Sequence, residues 1–404
     1  NWRLLLMQKP DALTLFEIAS SLKEPIAINF FGRSGSVFLQ SLFDDHPDTI
    51  TSPGVILWSL NVFHFERQEL QASALVDAFM DYYAVLFDPS RPFKAFSLEP
   101  WENHAEVFGF LEMGPERNQR LALDSHLFKT TLLEILQKGP EAPSRKFFFQ
   151  AVHVAYQHAL GREVHLNSRI VFPLHQFMPS LAARLFASDF PDAYYIHTVR
   201  EPLVALASLI KFNAVNNNVF TLLVSGEPLT PELGPRSRAI RLEDLHRDSE
   251  KLLEGLCAWL NLPFHQALLK STFQGLSWWG DKGSPKLTGF HQDNTGKRHL
   301  EILPSIDVFR LKVLLAAKYK AWEYPLAEFY ESFLIRLVCL PLLLLPLRCE
   351  IERDILLSKN LSTISFCRLC VREWLALRKH LFLAWLRCFF ADGRQLRLLK
   401  IGND

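Results

Sequence analysis

The chain has 404 residues, a formal net charge of +1, 49% hydrophobic and 22% charged residues. Such a composition is globular and excludes wholesale disorder, and the length accommodates one large core with a smaller appendage. The near-zero charge conceals a split: Ser332 to Asp404 carries 12 Lys/Arg against 6 Asp/Glu, and the remaining residues carry 32 against 37. A basic, apolar tail on an acidic body is unlike a nucleic-acid binder, whose positive patch lies on the folded body, so no nucleic-acid partner is expected. Cys257 is alone in the body and the other five cysteines lie in the tail. No disulfide framework is legible, which points to a reducing compartment. Cys367-x-x-Cys370 could supply half of a zinc site, but no second ligand pair with suitable spacing follows, and no metal site is expected. No charged-then-apolar leader pattern follows Asn1. The expectation is a cytoplasmic chain, peripheral on the inner face of a membrane through its tail.

In chain order, Ile26 to Phe31 is a continuous apolar run after Pro25, as expected of a parallel strand buried on both faces. A tight Gly/Ser loop follows, then Val37 to Phe43 with apolar residues at helical spacing, stopped by Asp44-Asp45-His46-Pro47. Ala72–Leu86 and Leu121–Gln137 read as helices, with Pro89, Pro92, Pro100 and Pro115 between them. Arg169–Pro173 reads as a strand and Leu181–Ala187 as a helix. Ala193–Val199 reads as a strand running into Arg200-Glu201-Pro202 and a helix to Phe212. Residues 213–238 read as a surface loop, Ala239–Leu242 as a short strand and Ser249–Leu260 as a helix. Strands alternating with helices predict an α/β fold: a P-loop-like parallel sheet flanked by helices.

The character changes near residue 331, and the chain divides into a body, 1–330, and a C-terminal helical extension, 331–404. Phe333–Leu347 is apolar but broken by Arg336, Pro341 and Pro346, too short and interrupted for a membrane span. Arg368, Arg372, Arg378, Lys379 and Arg387 then interleave with Trp374, Leu377, Leu381, Phe382, Trp385 and Phe389. That basic amphipathic pattern suits an in-plane membrane helix. It equally suits a helical layer packed on the body, or on a second subunit in a homodimer.

Two segments carry chemistry. In Phe31-Gly32-Arg33-Ser34-Gly35-Ser36, the glycines allow close backbone approach to an anion, Arg33 adds fixed positive charge, and the serines add hydroxyl donors. A Walker A loop would need Gly-x-x-x-x-Gly-Lys-Ser/Thr, which is absent. At the end of the later strand stands Arg200, with Ser208 eight residues on in the second turn of the following helix. A guanidinium and a hydroxyl on one side make a clamp for a second phosphate. Plain structural roles remain open: a simple turn for the loop, an ion pair with Glu201 or Asp192 for Arg200, an ordinary helix position for Ser208.

Phe31 to Leu39, with Leu42-Phe43-Asp44-Asp45-His46-Pro47-Asp48, resembles the 5'-phosphosulfate loop and first helix of sulfotransferases, closest to the carbohydrate, tyrosylprotein and bacterial branches. Phe190-Pro191-Asp192-Ala193, then Ile196 to Pro202 and Ser208, is similar to the family's 3'-phosphate element. Arg241-Leu242-Glu243-Asp244-Leu245 resembles its "R-x-E-D-L" strand, and Leu256 to Phe264 the helix after it. The resemblance runs in order from about Pro25 to Trp322. It implies a donor, 3'-phosphoadenosine-5'-phosphosulfate (PAPS), held by Gly32, Arg33, Ser34, Gly35, Ser36, Val37 and Phe38 at one end and by Arg200 and Ser208 at the other. Trp278-Trp279-Gly280-Asp281-Lys282-Gly283-Ser284 stands where the family places a late nucleotide-contacting loop. Trp279 would stack on adenine and Lys282 or Ser284 would lie near phosphate, or the two tryptophans simply close a core edge.

The implied reaction is metal-independent, in-line transfer of a sulfuryl group to a hydroxyl on a glycan, glycolipid or small molecule, with Arg33 stabilising charge. The acceptor's base is less well marked. Tyrosylprotein-type relatives carry a Glu about twenty residues beyond the loop, where this chain has Pro53 and Gly54. Val171-Phe172-Pro173-Leu174-His175 resembles a "K-x-P-x-H" segment of bacterial relatives, with Val171 replacing Lys, so His175 is the expected base. His153, His104 and Glu99 are the other candidates. The alternatives are a non-catalytic nucleotide-binding or scaffold protein on a sulfotransferase-like fold, and a P-loop kinase.

Overall fold

A computed structural model describes residues 14–30, 32–53, 63, 66–67, 69–94, 104–174, 181–211, 236–282, 286–291, 302–358, 362–390 and 398–399. The five main strands are β1 (Lys23–Phe30), β2 (Thr49–Thr51), β3 (Arg169–Pro173), β4 (Tyr194–Val199) and β5 (Ser237–Arg241), forming one parallel sheet in the order β2-β3-β1-β4-β5. A two-stranded antiparallel hairpin, β6 (Thr272–Phe273) and β7 (Leu276–Ser277), follows late in the chain. The helices in the first half are α1 (Leu15–Ser21), α2 (Ser36–Leu42), α3 (Ala72–Tyr82), α4 (His104–Val107), α5 (Ser125–Gln137), α6 (Arg145–Ala159) and α7 (Leu181–Asp189). Then come α8 (Pro202–Lys211), α9 (Leu242–Arg247), α10 (Ser249–Leu260), α11 (Ser305–Ala321), α12 (Phe333–Leu342), α13 (Arg348–Ser358) and α14 (Thr363–Phe390). This is the α/β architecture the sequence predicts.

Side-chain alternation divides the sheet into two covered faces. Ile26 and Ile28 of β1, with Val171, Ile196 and Ile240, share a core with Leu39 and Leu42 of α2 and Leu252, Leu253 and Leu256 of α10. Ala27, Ile170, Phe172 and Tyr195 point to the other face, into a large aromatic core with α1, α3, α5, α6 and α7. Burial on both sides explains why β1 and β3 carry apolar residues at successive positions, as in Ile26-Ala27-Ile28 and Ile170-Val171-Phe172, rather than in alternation.

The sequence shows no sign of two elements. β2 is only three residues, too short for a pattern. In α6 every residue from Phe147 to Gln157 is buried, including Gln150, His153 and Gln157, which share one face at helical spacing but meet protein rather than solvent. Its start is nonetheless marked by Ser144, whose hydroxyl accepts the Phe147 N–H at 3.2 Å. The predicted helix from Leu121 begins instead at Ser125, because Asp124 caps it through the His126 and Leu127 N–H groups, both at 2.9 Å. Of the surface loop expected at 213–238, residues 213–235 lie outside the described residues, and Ser237 and Arg238 already belong to β5.

The C-terminal helices lie against the body. Val199, Leu203 and Leu206 share one core with Leu311, Leu314, Tyr319 and Trp322 of the body and with Cys339, Leu343, Leu377, Leu381 and Trp385 of the extension. Two buried arginines tie this layer together. Arg310 pairs with Asp307 and donates to the carbonyls of Leu342 (2.9 Å) and Leu345 (2.7 Å). Arg378 pairs with Glu350 and donates to the Leu345 carbonyl at 2.9 Å. No helix among the described residues is long and apolar enough to cross a membrane.

Burial also sets an acid limit on stability. Desolvation depresses His104 and His197 to about 3 and His153 and His246 to about 4, from an ordinary 6.5. The unfolded chain then binds more protons than the native one below that value. Stability is full above about pH 6.5 and falls as pH drops toward about 4, each histidine removing about 1.4 kcal/mol per pH unit. Urea unfolding across that range checks this. His153→Gln, which keeps a group able to meet the Phe149 carbonyl but cannot titrate, should flatten the slope; an unchanged slope contradicts it.

Candidate active site

The connection after β1 leads across β3 to β2, whereas the connection after β4 leads the opposite way to β5. The two loops diverge outside the carboxyl ends of β1 and β4, the position at which open α/β sheets bind ligands in a crevice. Register makes the juxtaposition close, since Phe30 lies directly across from Thr198. Arg33 and Arg200 therefore leave adjacent strands side by side. The Arg200 guanidinium donates to the Arg33 carbonyl at 3.3 Å, and the Ser34 and Thr198 hydroxyls meet at 3.0 Å.

The loop's backbone is left-handed at Arg33 (φ 53°) and Gly35 (φ 84°). At Gly35 the requirement for glycine is double. A Cβ there would be strained by its φ and would stand 2.5 Å from a Leu242 methyl. Ser34 and Ser36 are buried, and Val37 and Phe38 are half-buried at the start of α2. Phe38 stacks on the His246 ring (centroids 4.9 Å, 14° between planes) and meets Phe290 edge-on at 5.5 Å.

Arg200 sits in a buried cradle. Burial lowers its pKa, the Arg33 charge adds to that, and the Glu243 and Glu201 carboxylates oppose it. Glu243 accepts the Glu201 N–H at 3.1 Å and the Tyr324 hydroxyl at 2.6 Å. Glu201 in turn accepts the Val204 N–H at 2.6 Å and the Tyr319 hydroxyl. Burial and these carboxylates push both phenols well above the usual tyrosine range, so both stay protonated as donors. Arg241 reaches the Glu323 carbonyl at 3.0 Å. The Arg241-Leu-Glu243-Asp244 motif thus bolts the Arg200 turn to the end of α11. Glu201 and Asp192 have partners of their own, Asp192 pairing with Arg236. Ser208 is buried on α8, two turns beyond Arg200.

The sequence did not single out the residue that engages Arg33. Asp281 receives its guanidinium in a two-point ion pair, at 2.6 and 3.1 Å. Several contacts fix the segment carrying it. Asp44 accepts the Gly275 N–H at 2.8 Å and pairs with Arg162, which anchors the β6–β7 hairpin. The Trp278 indole donates to the Phe108 carbonyl (2.8 Å), the Trp279 indole to the Gly114 carbonyl (2.7 Å), and the Lys282 N–H to the Val107 carbonyl (2.8 Å). Gly109 meets the Gly280 carbonyl so closely that a Cβ would not fit. Trp279 is thereby held by Gly114, with Arg117 6.0 Å over its ring, and the Lys282 ammonium pairs with Glu106 at 2.6 Å. What this loop presents to Arg33 is the carboxylate between them. A signal was available: Asp281 lies within the Trp278–Ser284 segment already matched to the family's late loop.

Among the base candidates, His175 and Glu99 lie outside the described residues, as does Ser284. His153 is buried in the core with its Nδ1 2.8 Å from the Phe149 carbonyl, and His104 lies among Phe93, Phe108 and Phe110. Both are neutral core histidines, removed from the crevice by burial. Val171, in the place of the relatives' Lys, is buried beneath the sheet.

A parallel sheet with two arginines meeting at its switch point defines an α/β protein. The chain belongs to the Sulfotransferase family: that family's model matches residues 25–266, more than half of the chain. Family membership assigns it to the transferases, with sulfotransfer as its general activity. The matched span includes Arg33, Arg200, Ser208 and Glu243, and ends before Asp281. Among solved structures, similarity is found to the sulfotransferase domain of the Synechococcus olefin synthase (17% identity, 79% of this chain and 99% of that one, TM-score 0.42). It is also found to the sulfotransferase domain of the curacin biosynthetic pathway (14% identity, 76% and 100%, TM-score 0.37). A sulfotransferase from Mycobacterium avium matches at 13% identity over 62% and 67%, TM-score 0.30. Overlaps this loose say nothing about substrate. No curated protein matches the chain.

Gly35→Ala should cost about 1–2 kcal/mol from the left-handed backbone alone, plus the Leu242 clash, in urea unfolding. Gly35→Ala with Leu242→Ala removes the clash and leaves the backbone strain. A Gly35→Ala protein as stable as the parent would contradict the loop geometry.

Proposed function

We propose that the chain transfers a sulfuryl group from PAPS to a hydroxyl acceptor, a glycan, glycolipid or small molecule, at the crevice between β1 and β4. The observation that carries this reading is the meeting of Arg33 and Arg200 there, one guanidinium donating to the other residue's carbonyl. Two fixed positive charges on adjacent strand ends suit a donor with an anionic group at each end. Arg200 is buried beside Glu243, so its charge is held in a poorly hydrated site where an anionic partner is worth most.

When bound, the donor supplies the sulfuryl group and a bisphosphate leaving group. Arg33, with the backbone of Gly32 to Ser36, holds the phosphosulfate end and offsets charge that builds on the leaving oxygens. Ser34 and Ser36 orient it, and Arg200 with Ser208 grips the distal phosphate. To do this Arg33 must exchange the Asp281 carboxylate for the donor's, so Asp281 competes with the donor. For the acceptor proton His175 remains the proposed base. It directly follows Leu174, whose N–H bonds the Ile28 carbonyl at 2.8 Å, so the chain leaves β3 beside the end of β1. The positive charge that the transfer requires comes from the two arginines.

A second reading is favoured by one observation. Arg33 is engaged by Asp281, as in a binding protein whose transfer site is closed. Labelled donor offered to glycan and lipid extracts separates the two, because a scaffold yields no labelled product.

Calorimetry should show the chain binding 3'-phosphoadenosine-5'-phosphate in preference to ATP; tight ATP binding without the bisphosphate would sink the proposal and support a kinase. Arg200→Ala should weaken bisphosphate binding by roughly 10- to 100-fold, the loss of a charge-assisted contact. Asp281→Asn should tighten it by roughly tenfold, since the largely buried carboxylate no longer competes for the Arg33 guanidinium. Weaker binding by that variant would show that Asp281 supports the donor site instead.

A further inference from the structure

α14 has three faces. At 100° per residue, Ile364, Val371, Leu375 and Phe382 fall within about 20° of one line along the helix, spanning about 27 Å. They are 69, 58, 55 and 44% exposed. Beside this stripe, rotated by roughly 40–80° in one direction, run Arg368, Arg372 and Lys379, all exposed. The third face, with Leu377, Leu381, Ala384 and Trp385, is buried against the body, and the Trp385 indole donates to the Arg336 carbonyl at 2.7 Å. The basic amphipathic pattern read from sequence needs one correction here. Arg378 belongs to the buried side, ion-paired with Glu350, whereas Arg368, Arg372 and Lys379 face outward.

A helix merely packed on a body needs one apolar face. α14 has a second, exposed at Ile364, Val371, Leu375 and Phe382 beside a row of positive charge.

We propose that the exposed apolar and cationic stripes of α14 dock in the plane of an anionic phospholipid surface. Charge complementarity selects this occupant. The apolar line would enter the headgroup–acyl boundary, while Arg368, Arg372 and Lys379 meet lipid phosphates and carboxylates from beside it. A second copy of the chain seated on the same stripe would set two like-charged rows against each other. The surroundings agree in sign, since Ser332 to Asp404 carries twice as many basic as acidic residues. Arg372 pairs with Glu373 at 3.1 Å, but it remains 75% exposed and open to an anionic surface. The inference does not depend on the catalytic reading.

The test is co-sedimentation of the full chain with phosphatidylcholine vesicles, with and without phosphatidylserine, at low and high salt. The expected result is pelleting with the phosphatidylserine vesicles that salt weakens. Replacing Arg368, Arg372 and Lys379 together by Gln should lower the partition on the order of a hundredfold. Val371→Gln with Leu375→Gln should abolish it at unchanged circular dichroism and unfolding midpoint, because both side chains are exposed. If the parent chain stays in the supernatant with anionic vesicles, or if both variants pellet as it does, the proposal fails. It also fails if sedimentation velocity shows a dimer that Val371→Gln with Leu375→Gln dissolves, since the stripe would then be a contact between copies.

Discussion

The molecule depends on the parallel pairing of β1 with β4. Because Phe30 stands opposite Thr198, two loops distant in sequence leave the sheet at the same level, and their arginines meet. Sliding the register by one residue would turn Ile26 and Ile28 away from α2 and α10 and separate Arg33 from Arg200. Core packing and site geometry are thus set by one ladder of backbone hydrogen bonds.

Around that ladder, residues that look like site residues divide into those that face the crevice and those that hold it in shape. Asp44, Arg162, Arg241, Glu243, Tyr319 and Tyr324 belong to the second kind. They spend their charges and hydroxyls on the hairpin that carries Asp281 and on the turn that carries Arg200. The crevice itself holds Arg33, Arg200 and the Asp281 carboxylate. The Arg200 guanidinium is buried beside the half-buried Glu243 carboxylate, so water screens it little.

The extension adds a different kind of order. Two buried arginines, Arg310 of the body and Arg378 of the extension, satisfy the carbonyls at the end of α12 and bind α11, α12, α13 and α14 into one layer. Layer and body share one apolar core, so the orientation of α14's outer stripe is fixed relative to the crevice. The tail's basic, apolar character was plain in the sequence, but which of its residues face outward was not. Arg378 and Phe382 stand four positions apart in the same pattern, yet one is buried and the other exposed.

By itself the sequence determined what depends on neighbours along the chain. The strands β1, β3 and β4, the glycine loop after β1, Arg200 at a strand end, and the stop of α10 at Leu260 are local signals, because strand, turn and cap preferences act over a few residues. β2 escaped because three residues hold no periodicity. Only the tertiary structure decided which distant side chains meet. Asp281 reaches Arg33 across 248 positions, and Glu243 chooses Glu201 and Tyr324 rather than its own helix. Such pairings follow from sheet order and from how the hairpin is anchored, and no spacing along the chain encodes them.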